Sequence, residues 1–110
     1  MSGIQSNNIQ LASNTPLSVQ SNKGSNAVET YIDETQSSTT LVVLNTDRKK
    51  VIIINESKKS LYLRYQSPAI DKEGIQLNSG DYWIETEYIG NIYGIWSNGA
   101  DKGARIIEIS

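Results

Sequence analysis

From Thr39 to Ser110 the chain alternates short apolar stretches with polar turns, at about the 8–12-residue spacing typical of small antiparallel domains. Thr39–Leu44 (TTLVVL) and Val51–Ile54 (VIII) flank NTDRKK, where Asn45 and Asp47 suit a turn and Arg48, Lys49 and Lys50 place charge at its exit. This reads as a hairpin with a solvated basic end. Leu61–Tyr65 (LYLRY) follows, with Leu61, Leu63 and Tyr65 on one face and Tyr62 and Arg64 on the other, the pattern of a half-buried strand. Ile75–Leu77 leads through Asn78–Gly80 into Asp81–Glu87 (DYWIETE), where Tyr82, Ile84 and Thr86 alternate with Trp83, Glu85 and Glu87. The carboxylates mark the second set as the outer face, which makes Trp83 a candidate exposed aromatic. Gly90–Ser97 (GNIYGIWS) is the next strand, with Gly94 at a bulge or a close backbone approach. Ala104–Ser110 (ARIIEIS) is the last, with Arg105, Ile107 and Ile109 alternating with Ile106 and Glu108.

No segment shows an apolar stripe at the 3.6-residue period together with helix caps. The expected fold is therefore all-β, a small antiparallel sandwich or barrel over residues 39–110. A body of that size buries only roughly 60% of the surface its unfolded chain exposes, so docking or oligomerisation would add what it lacks.

In front of this body the pattern changes. Residues 1–28 carry a single charged side chain, Lys23, among Ser, Asn, Gln, Thr and Gly. Such a segment buries too little apolar area on its own to offset the entropy of ordering it. Yet Ile4, Ile9, Leu11, Leu17 and Val19 recur along it, and Ile9/Leu11 and Leu17/Val19 have the two-residue spacing of a strand with one face in contact. These five residues are the candidate partner-binding set of an extended arm, and residues 29–38 read as its acidic connector to the body.

Composition removes much chemistry. The chain has 110 residues, 37% hydrophobic, with 10 basic and 12 acidic side chains for a formal net charge of -2, which gives no footprint for nucleic acid or an anionic membrane. It has no Cys, and so no disulfide, thiolate nucleophile or Cys-based metal site. It has no His, the usual general base near neutral pH. The chain shows no leader pattern and no apolar run of roughly 18 residues, so a soluble protein without a secretion signal is expected.

The remaining candidate chemistry is sparse. Asp81, Glu85 and Glu87 would need to face one another across a cleft to act as a glycosidase pair, whereas Glu85 and Glu87 lie side by side on one strand. Asp71 with Glu73, and Asn98 with Asp101, lack the spacing of a calcium loop. No metal, no cofactor and no enzymatic activity are expected. The aromatics Trp83, Tyr88, Tyr93 and Trp96 are closely spaced. Trp96 is expected to fill the core of a protein without Phe, while Trp83 and Tyr88 are candidates for contact with a partner or a sugar, beside Glu85 and Asn91.

From Val51 onward the Ile54-Asn55 strand end, the LYLRY strand, the GIQLNSGDYW turn, the GNIYGIWS segment and the C-terminal ARIIEI strand together resemble a small β-module of structural proteins in tailed-bacteriophage virions. The resemblance implies a non-enzymatic virion protein, a capsid auxiliary or decoration subunit whose arm and one sheet face bind the major capsid protein or another virion component. A homo-oligomer is expected, with a trimer the common form among fibre and decoration proteins. The alternatives are a head-fibre or tail/adaptor component, or a glycan-binding β-module that uses exposed aromatics.

Overall fold

The computed structural model describes residues 23–110. They form eight strands: β1 Ala27–Ile32, β2 Thr39–Val42, β3 Lys50–Asn55, β4 Leu61–Arg64, β5 Ile75–Leu77, β6 Tyr82–Glu85, β7 Ile92–Trp96 and β8 Ala104–Ile109. Two four-stranded antiparallel sheets result, one ordered β1-β8-β3-β6 and the other β2-β7-β4-β5. The fold is thus the all-β sandwich that the sequence pattern predicts.

The pairing has a simple logic. β1 pairs with β8, β2 with β7, β3 with β6 and β4 with β5, as if one long hairpin with its turn after β4 had been rolled up. Contacts of β8 with β3 and of β7 with β4 close the roll. An eight-stranded roll of this kind is a jelly roll.

Two expectations change. Residues 27–32 were assigned to the end of the arm and the start of the connector, but they form β1 and pair along their whole length with β8, from Ala27↔Ile109 to Ile32↔Ala104. Their acidic and polar residues hide the strand because β1 is an edge, exposed over most of its length. The stretches flanking NTDRKK do not form a hairpin either, since β2 and β3 lie in different sheets. NTDRKK crosses between the sheets and carries Arg48 into the interior. Rather than sitting in a solvated basic turn, Arg48 is 5% exposed and plugs one end of the sandwich. Its guanidinium donates to Glu108 at 2.8 Å, to Val43 O at 2.8 Å and to Tyr88 O at 3.0 Å.

The core follows strand alternation. Val51, Ile53 and Asn55 of β3 point inward, with Ala104 and Ile106 of β8, against Leu61 and Leu63 of β4, Leu77 of β5 and Ile92 and Trp96 of β7. Burying each large aliphatic side chain contributes about 1.5–3 kcal/mol. Gly94 is the close approach its position suggested, because a Cβ there would lie 2.5 Å from Leu41 Cδ1. The NSGD turn needs Gly80, whose φ of 80° belongs to the left-handed region.

Two polar residues, Asn55 and Ser57, are completely enclosed. Asn55 accepts from the Trp96 indole Nε1 at 3.1 Å and from the Ser57 N–H at 3.1 Å, and its amide donates to Lys59 O at 2.8 Å and Leu77 O at 2.9 Å. The two sheets are therefore tied by a satisfied network as well as by apolar packing.

Candidate interaction surface

The two sheets treat their outer faces differently. On the β2-β7-β4-β5 sheet, Tyr62 and Ile95 point outward, yet both are buried because Ala69 from the β4–β5 loop packs over them. That loop is fastened by the Ala69 N–H to Ser38 Oγ at 2.7 Å and by Ser97 Oγ to Asp71 at 3.0 Å.

No comparable cover lies on the outer face of the β1-β8-β3-β6 sheet among the described residues. The register aligns Glu29, Ile107, Ile52 and Ile84 in one row across the four strands. The next row holds Tyr31, Arg105, Ile54 and Tyr82, and Ala27, Ile109 and Lys50 lie on the other side. Isoleucines and Tyr82 thus make an apolar centre, in which Tyr82 is 63% and Ile84 45% exposed. Arg105 borders it, bonded to Glu56 at 2.9 Å and to Glu29 at 2.9 Å, with its guanidinium carbon 5.3 Å from the centre of the Tyr31 ring. The Arg105 hydrogen bond holds the Glu56 carboxyl below its ordinary range. An apolar centre with a charged rim is the anatomy of a protein-binding face.

The expected faces of β6 are therefore exchanged: Tyr82 and Ile84 point to solvent, whereas Trp83 and Glu85 point into the sandwich. The two carboxylates misled the pattern because Glu85 has partners inside. Tyr65 donates its hydroxyl to one Glu85 oxygen, and the N–H groups of Glu87 and Tyr88 each donate to the other at 3.0 Å. Trp83 Nε1 donates to Tyr65 Oη at 3.1 Å, and the Tyr88 ring stacks on Tyr65 with centroids 4.5 Å apart. Burial, reinforced by the hydrogen bond to Glu85, pushes the Tyr65 hydroxyl up to about 12. For Glu85, burial acts to raise the carboxyl, but the hydrogen bonds from Tyr65 and the backbone of Glu87, Tyr88 and Thr86 outweigh it and hold it below its usual range.

This cluster closes the sandwich on the side of β6. Trp83 is turned inward, its indole bonded to Tyr65, and Tyr65 covers one face of the Tyr88 ring. Asn91 is spoken for as well, accepting from the Leu44 N–H at 2.6 Å and donating to Tyr93 Oη at 3.1 Å. Trp96 is in the core, 1% exposed. Asp101 caps the Ser57 turn by accepting from the Lys58 N–H at 2.9 Å, which lowers its carboxyl. The arm residues Ile4, Ile9, Leu11, Leu17 and Val19 lie outside the described residues.

The isoleucine face was not singled out from the sequence, although its signal was present: ARIIEI and VIII place apolar residues on both faces of a strand. Comparison of the chain with protein-family models, with curated proteins and with solved structures finds no match.

Proposed function

We propose that this chain is a non-enzymatic virion structural protein of a tailed bacteriophage, a capsid auxiliary or decoration subunit. It binds the capsid lattice through the arm of residues 1–22 and the outer face of the β1-β8-β3-β6 sheet. The observation that carries this reading is the apolar face centred on Ile52, Ile84 and Ile107, which none of the described residues covers, whereas the other sheet is covered by the β4–β5 loop. The sequence resemblance supplies the partner class. Jelly rolls serve both capsid and lectin domains, so the fold alone does not choose between them. The inward turn of Trp83 weighs against the sugar-binding alternative. A head-fibre or tail/adaptor position would use the same face.

The test is occupancy on purified particles lacking the protein. Wild type should co-sediment with capsids, Ile84→Asp should lower occupancy at least tenfold, and deletion of residues 1–22, which leaves β1 whole, should do likewise. Full occupancy by both variants, or binding to tails and not to heads, would overturn the capsid assignment.

A further inference from the structure

The four strands at the sheet edges are not equally guarded. An edge strand presents unpaired backbone groups, and proteins blunt it with a bulge, short length, an inward charge, lysine or proline. β2 carries a register shift between Thr40 and Val42, β5 has three residues, and β6 turns the charge of Glu85 inward. β1 has none of these devices. Its six residues, AVETYI, pair with β8 in an unbroken register and have no second partner among the described residues. Its one charge, Glu29, is bonded to Arg105 at 2.9 Å. β1 also forms a wall of a cleft of about 460 Å³ lined by Val28, Thr30 and Ile32, and Val28 is 56% exposed.

The ladder with β8 fixes what the open edge of β1 can accept. Asn26 and Ser110 exchange both of their backbone bonds, each at 2.9 Å. Such pairs alternate with unbonded ones in an antiparallel ladder. Val28, Thr30 and Ile32 therefore turn their N–H and C=O groups to β8, and Ala27, Glu29 and Tyr31 turn theirs to the open edge. A second β1, antiparallel across a two-fold axis, overlaps well in two registers, one centred on Glu29 and one on Thr30. The first sets Glu29 against Glu29, and like charges directly opposite destabilise a sheet. The second sets Thr30 against Thr30, Glu29 against Tyr31 and Val28 against Ile32. No like charges then meet, and the two Val28/Ile32 pairs fall on the cleft side, where they withdraw Val28 from water.

We propose that two copies of this chain join β1 to β1 across a two-fold axis at Thr30, making one eight-stranded sheet from the two β1-β8-β3-β6 sheets. Glu29 N–H of each copy donates to Tyr31 O of the other, and Tyr31 N–H donates to Glu29 O. The isoleucine face then recurs on both halves of one continuous sheet. The dimer is a property of the purified chain and stands apart from the capsid reading.

The chain has no cysteine, so a single substitution reports the register. Opposed residues of an unbonded pair have Cβ atoms about 4.5–5.5 Å apart, near the separation a disulfide needs. Thr30→Cys should therefore link to itself under mild oxidation at least tenfold faster than Val28→Cys, whose two copies lie roughly 13 Å apart along the strands. Light scattering of the full-length wild type should give the mass of a dimer. Glu29→Pro removes an N–H that faces the open edge and none that faces β8, so it should give a monomer with the wild-type far-ultraviolet spectrum. Should that variant lose the native spectrum, the cross-linking rates alone decide. A monomeric or trimeric wild type, a dimer that a folded Glu29→Pro leaves intact, or Thr30→Cys linking no faster than Val28→Cys would overturn the proposal. A wild-type monomer that dimerises once residues 1–22 are removed would show the edge filled by the chain's own N-terminal segment, and overturns it equally.

Discussion

The indole Nε1 of Trp96 donates to Asn55 Oδ1 at 3.1 Å, between two side chains that are 1% and 0% exposed, and so joins the two sheets through one amide. Truncation at Asn55 leaves the Trp96 indole, the Ser57 N–H and two carbonyls without partners inside the protein. Asn55→Ala should lower stability by about 3 kcal/mol, from an unsatisfied-group cost of about 1–3 kcal/mol each, partly relieved by water. Urea denaturation should show the midpoint fall at unchanged slope. A midpoint within experimental error of wild type would mean that the amide holds nothing.

Arg48 and Glu108 form a second inward pair, with the arginine side chain 1% and the glutamate 25% exposed. Removing the cation strands the carboxylate and the carbonyls of Val43, Tyr88 and Gly90. Arg48→Met should cost about 3–5 kcal/mol, as for a broken buried pair. Because the pair is shielded, wild-type stability should respond weakly to added salt. Thermal melts across a salt series check both statements.

Isoleucines on the two faces of the β1-β8-β3-β6 sheet should behave oppositely. Ile53 is fully enclosed and Ile52 faces out. Ile53→Ser should destabilise by about 4 kcal/mol or more through the cavity and the buried hydroxyl. Ile84→Ser, on the outer face beside Ile52, should stay within about 1 kcal/mol of wild type by the same melts while lowering particle occupancy.

Tyr65 gives a pH dependence with a definite sign. Its folded value, about 12, exceeds the ordinary 10.0, so the folded state holds its proton where the unfolded chain has lost it. The stabilisation is complete below pH 10 and declines as pH rises from 10 to about 12. Tyr65→Phe should be less stable than wild type at pH 8, and that gap should narrow at pH 11. A gap that widens with pH would reverse the assignment.

Strand existence was largely legible in the sequence because alternation and Asn/Gly turns are local properties. β1 was not, because an edge strand exposed on both faces needs no apolar alternation, and AVETYI shows little. The faces of β6 are exchanged because charge at Glu85 does not mean solvent: the carboxylate is satisfied by the Tyr65 hydroxyl, twenty residues away, and by the N–H groups of Glu87 and Tyr88 in the turn that follows it. Arg48 was misread for the same reason, its acceptors being as far away as Glu108. ARIIEI and VIII show that these strands are apolar on both faces, but the continuous isoleucine face depends on strand order, which brings Ile107 beside Ile52 and Ile52 beside Ile84, and no local pattern carries that order.

The rolled pairing also sets the order in which the molecule can assemble. Of the hydrogen-bonded strand pairs described, only β4 and β5 are consecutive in the chain, whereas β1 must find β8 from the opposite end of the body. Chains dominated by such distant pairings fold in roughly milliseconds to seconds. During synthesis β1 stays unpaired until β8, made after every other strand described, has left the ribosome.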